Sequence, residues 1–102
     1  MRYNLLVLKC AEIDIEVAFR FYLEISLELA LRFEAAMDKA MGKLKRTPNN
    51  YFNLDDGRHR RIQVDGFPYM FIYEIEEDDV IIKMLFHQKN DPEIQFERLI
   101  VT

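Results

Sequence analysis

The residues best equipped for chemistry are Arg60, Arg61, Lys83 and His87, within the stretch RHRRIQVDGFPYMFIYEIEEDDVIIKMLFHQKNDP that runs from Arg58 to Pro92. Arginine presents a planar fork of donors that matches phosphoryl oxygens, and histidine titrates near neutral pH. Side by side, such groups could hold a phosphate and move a proton. That is the minimum for cleaving RNA by attack of its own 2′-hydroxyl, which needs a general acid or base and a cation for the developing charge. In this reading His87 is the candidate general acid or base and Arg61 its catalytic partner. Arg60, Lys83 and Lys89 are the candidate phosphate binders. A plainer reading stands beside it: Arg58, Arg60 and Arg61 as solvated strand charges, His87 as a packed side chain, and Lys83 as a residue laying its stem on an apolar surface.

Other chemistries find less support. A single cysteine, Cys10, and two histidines, His59 and His87, have no convergent spacing, so neither a metal nor a cofactor is expected. The glycines form no phosphate loop, and no Gly-x-Ser-x-Gly elbow is present. The acidic run Glu76 to Asp79 reads as a solvated hairpin tip, and Tyr69, Phe71 and Tyr73 read as core.

Three apolar-alternating runs carry the candidate residues, and they predict an antiparallel three-stranded meander. The first, Arg58 to Val64, ends at Asp65-Gly66, a dipeptide that tolerates positive φ in a tight turn. Tyr69 to Ile75 follows, and then Val80 to His87, the most apolar and therefore expected at the centre of the sheet. Strict alternation puts Val80, Ile82, Met84 and Phe86 on the side facing the rest of the chain. Lys83 and His87 then share the open side, with Arg61 beside them. Upstream, Tyr3 to Lys9 predicts a buried strand. A helix is expected to open at Asp14, with Ile13, Val17, Phe21 and Ile25 as its packed stripe, widened by Ala18 and Tyr22. Ser26 is the expected N-cap of a second helix that runs to about Arg46, with Ala30, Phe33, Met37, Ala40, Met41 and Leu44 at helical spacing, stopped by Thr47-Pro48. Helices joined so tightly must form an antiparallel hairpin. The expected fold is α+β, with the hairpin on one sheet face. The tail, Glu93 to Thr102, is expected to add a short helix or strand.

At 102 residues the chain is expected to be a single domain spanning 1–102. Half of it is hydrophobic, which excludes a disordered protein, and the net charge of −4 excludes bulk attraction to nucleic acid. One cysteine, no long apolar run and no signal-peptide layout predict a cytoplasmic protein with no membrane partner.

The segments AEIDIEVAFRFYLEIS, KRTPNNY, RRIQVDGFPYMFIYEI and VIIKMLFHQKNDP, in this order, resemble the RelE/ParE toxin superfamily of bacterial type II toxin–antitoxin systems, in its plasmid-stabilisation-type branch. The resemblance spans about residues 3 to 92. It implies a four-stranded sheet with the helical hairpin on one face and a partner antitoxin whose flexible segment wraps the toxin. It implies one of two targets: RelE-like members cleave mRNA in the ribosome as mRNA interferases, and ParE-like members block DNA gyrase. A catalytically inactive relative kept for antitoxin binding or homodimerisation is the alternative. By resemblance, His87 falls where some ribosome-dependent members keep a catalytic histidine. Pro68 and Gln88 stand where that branch commonly carries Arg and Tyr.

Overall fold

The most apolar run does become an interior strand, flanked on both sides. In the computed structural model, which describes residues 2–54 and 56–88, the elements are β1 (Asn4–Val7), α1 (Lys9–Ile25), α2 (Leu27–Arg46), a 3-10 turn (Pro48–Asn50), β2 (Phe52–Asn53), β3 (His59–Gln63), β4 (Tyr69–Glu76) and β5 (Asp79–His87). The sheet has five strands in the order β1-β5-β4-β3-β2. Neighbouring strands are antiparallel except β1 and β5, which are parallel. The fifth strand is β2, from the segment expected to be only a linker. Its two residues pair with Arg60 and Arg61. The tail from Glu93 onward, and Lys89 with it, lie outside the described residues.

Ser26 caps α2 as expected, its Oγ accepting from the Leu29 N–H at 3.0 Å. Lys43, Lys45 and Arg46 occupy the last turn, where cations oppose the helix dipole. The buried stripe of α2 is Ala30, Phe33, Met37, Ala40 and Leu44, close to the spacing read from sequence.

Helix α1 departs from expectation twice. It starts at Lys9, with only Leu8 separating it from β1, so Asp14 lies in its second turn. More consequentially, Ile13, Val17, Phe21 and Ile25 face outward, and Val17 is 64% exposed. The buried face is Ala11, Ala18 and Tyr22. The reason is steric. Ala11 and Ala18 let the α1 backbone come close to what lies beneath it, and Tyr22 joins the rings from α2 and the sheet at its far end. Tyr22 meets Phe33 and Phe67 at centroid distances of 4.9 and 5.1 Å.

The early start gives α1 a second task. β1 ends at Val7, opposite Ile82, so the remainder of β5 has no strand on that side. Helix α1 takes over its edge groups: the Cys10 thiol donates to the Lys83 carbonyl at 3.0 Å, and Asp14 Oδ2 accepts from the Leu85 N–H at 3.2 Å. The spacing of four residues places both on one helix face. Asp14→Ala should therefore cost about 1–2 kcal/mol, since it strips a partner from a strand N–H. Urea unfolding of the two proteins would measure it.

A β-bulge then overturns the expected faces of β5. Ile72 pairs with Met84 and Tyr73 with Ile82, leaving Lys83 as an extra residue. One inserted residue reverses every side chain beyond it. Val80 and Ile82 face the helices, but so do Leu85 and His87, whereas Met84 and Phe86 turn to the opposite side. There they join Ile72 in a separate buried cluster, with Leu54 and Met70 against it. Tyr73 stays on the helical side, and its hydroxyl donates to the Pro48 carbonyl at 2.6 Å. That bond anchors the chain where it leaves α2.

Candidate functional site

The face of the sheet away from the helices carries a charge cluster centred on Glu74, from the middle of β4. Its register partner on β3 is His59, and its partner on β5 is Ile81. Lys83, pushed out by the bulge, reaches Glu74 Oε2 at 3.1 Å, and Arg58 Nε lies 3.6 Å from Oε1. His59, only 1% exposed, has Nε2 3.8 Å from Glu74 Oε2 and Nδ1 2.5 Å from Asp56 Oδ2. Asp56 Oδ1 also accepts the N–H groups of Arg58 and His59, both at 2.9 Å. This Asx-type turn is what folds the segment before β3. An Asp three residues ahead of a histidine, next to Gly57, was the available sequence signal.

Burial pushes the Asp56 carboxyl up, but the hydrogen bonds from His59 and Arg58 outweigh it and hold its pKa at about 2, against an ordinary 3.8. A depressed carboxylate pKa contributes stability that is present above the ordinary value and lost as pH falls through the folded one. Asp56→Asn should therefore cost about 1–3 kcal/mol at neutral pH. It should also flatten the loss of stability between about pH 4 and pH 2. Denaturant melts across that range would show both effects.

The residues singled out from sequence do not converge. Arg61 lies on the face away from the helices, as the partner of Ile72 and Phe52. His87 lies on the other face as the partner of Tyr69, with ring centroids 5.0 Å apart at 81°. Arg60, on the helical side, donates to the carbonyls of Asn49 and Tyr51 at 3.1 and 2.9 Å, which fastens the turn before β2. Lys83 shares the face of Arg61 but is bound to Glu74. Among the described residues no cluster could hold a metal ion.

Arg61 is different in kind. Its guanidinium sits 5.5 Å from the Phe52 ring centre and touches Met70 Sδ at 3.9 Å. Among the described residues it has no carboxylate partner, although Arg58 and Lys83 both do. It lines a cavity of about 330 Å³ at the β2–β3 edge, which Lys43 also lines.

A helical hairpin on one face of such a sheet is the architecture of toxin–antitoxin structures. The chain is similar to one from the chromosomal ParDE TA system of P. aeruginosa, at 15% identity and a TM-score of 0.73, covering 84% of this chain and 96% of that one. It is also similar to a chain of the toxin-antitoxin complex RelBE2 from Mycobacterium tuberculosis, at 17% identity and a TM-score of 0.59, covering 85% and 99%. At these identities the likeness is one of fold. No curated protein matches the chain. The family described as the ParE toxin of the type II toxin-antitoxin system, parDE, matches residues 6–92. The chain belongs to this toxin family.

Proposed function

We propose that this toxin arrests growth by binding a protein target, DNA gyrase, and not by cutting RNA. The observation that supports this reading is the separation of His87 and Arg61 on opposite faces of the sheet. A phosphate held by Arg61 lies beyond reach of a proton on His87, and in-line cleavage needs both at hydrogen-bond distance from the same group. Lys83 is already bound to Glu74, which engages one more cation of that face away from a transition-state role. A partner antitoxin completes the proposal. The outward stripe of α1 is a contiguous apolar surface of the kind that marks a protein interface.

Induced expression in a bacterial host, with mRNA 5′ ends mapped during growth, tests the target. The expected result is arrest with intact mRNA, retained in the His87→Ala variant, and inhibition of gyrase supercoiling by the purified protein. New 5′ ends inside translated codons, lost in His87→Ala, would overturn it in favour of a ribosome-dependent endoribonuclease. Normal growth with folded protein would instead mark a catalytically and biologically inactive relative.

A further inference from the structure

We propose that the cavity beside Arg61 is a binding site for a small arylcarboxylate, a flat body of one or two rings carrying a single acid group. At about 330 Å³ the cavity has the size of a small-molecule site. It opens where β2 gives out. β2 pairs with β3 only at Phe52–Arg61 and Asn53–Arg60, and the chain before Phe52 leaves the sheet through Tyr51 into the 3-10 turn. The N–H of Leu54 donates to the His59 carbonyl, and that of Val64 to the Tyr69 carbonyl. Backbone alternation therefore turns the Gln63 N–H away from β4 and towards this gap. The Gln63 side chain does not fill the gap. It is tied back, donating to the carbonyls of Phe67 and Tyr69 at 2.6 and 3.1 Å and accepting from Gln88 at 2.5 Å.

The groups lining the cavity suit one negative charge. Arg61, half-buried, offers its fork to no carboxylate among the described residues. A planar fork matches a carboxylate with two parallel hydrogen bonds. Lys43 lines the cavity as well, in a loose 3.4 Å contact with exposed Asp65. Two cations against one carboxylate leave a single uncompensated positive charge. That fits a monoanion better than a phosphate dianion or a nucleic acid, which a chain of net charge −4 repels. The apolar walls set the body of the ligand. Phe52, 72% exposed, has the Arg61 guanidinium 5.5 Å from its ring centre. Met70, whose sulfur lies 3.9 Å from the same guanidinium, offers an adaptable surface to an aromatic edge. A ring laid against Phe52 with its acid on Arg61 extends this stack. An aliphatic acid gains the charge pairing without the stacking.

The test is an NMR titration of the full chain, labelled with nitrogen-15, against indole-3-acetate, its uncharged counterpart indole-3-acetamide, cyclohexylacetate and inorganic phosphate. Indole-3-acetate should shift the Gln63 amide and the Arg61 Nε resonance saturably, with a Kd on the order of 0.1 mM. The amide and the cyclohexyl acid should each bind about ten-fold more weakly or worse. Arg61→Gln should remove the preference for the acid over its amide. Phe52→Ala, at a largely exposed position, should remove the preference for the indole over the cyclohexyl ring. Equal binding of acid and amide by the unaltered chain, an unmoved Gln63 amide, or phosphate acting on the same resonances at lower concentration would overturn the proposal. Growth is not read in this titration, so the site and the gyrase reading fail separately.

Discussion

Phe33→Ala should lower stability by about 3–5 kcal/mol, a large share of the whole for a domain of this size. Phe33 is fully buried where α1, α2 and the residues around β4 meet. Its ring lies 4.9 Å from that of Tyr22, 5.0 Å from Phe67 and 5.4 Å from Tyr69. Removing it leaves a cavity walled by three rings, each held by its own backbone element, so the site cannot collapse. Phe33→Leu keeps much of the volume and should cost about half as much or less. Urea unfolding followed by circular dichroism would distinguish the pair. Similar losses for both variants would mean that the ring contacts, and not the volume, dominate at this position.

The second large effect concerns association. Val17→Glu combined with Phe21→Glu should leave the fold intact and the toxin active, yet weaken neutralisation by its antitoxin by about 2–4 kcal/mol. The free chain loses little, because both side chains are already more than half exposed, at 64% and 56%. A carboxylate placed at the centre of an apolar contact must be desolvated when the partner arrives. Co-expression of toxin and antitoxin gives the readout: growth arrest that the antitoxin no longer relieves. Undiminished relief would remove the outward stripe of α1 from the partner interface.

That stripe also shows where reading from sequence stops. Ile13, Val17, Phe21 and Ile25 form a regular apolar row, and periodicity cannot tell a row that meets the core from one that meets another protein. Of the buried face, Ala18 and Tyr22 were read as the margin of that row, and Ala11 was not read at all. In α2 the capping, length and buried stripe were legible, although Leu27 and Leu31 there are exposed too. The meander of β3, β4 and β5 was legible, but neither β2 nor the facing of β5 was. The single extra residue at Lys83 carries no compositional mark, yet it moved His87 to the helices and Met84 away from them. The charge cluster around Glu74 was hidden for a related reason. His59 and Glu74 meet only because β3 and β4 are in register, a relation between segments that neither segment announces.

The thiol of Cys10 makes the seam between α1 and β5 observable. It is the chain's only cysteine, and it is committed to the Lys83 carbonyl at 3.0 Å. A thiolate cannot donate, so an alkylating reagent reacts fastest when the helix start has lifted from the strand. The rate of modification under native conditions thus counts excursions of α1, and its dependence on urea separates local opening from global unfolding. Because the same helix bears the outward stripe, a bound antitoxin that clamps it should slow the labelling. A single mass-shifted species would then report occupancy of a surface that the reagent never touches.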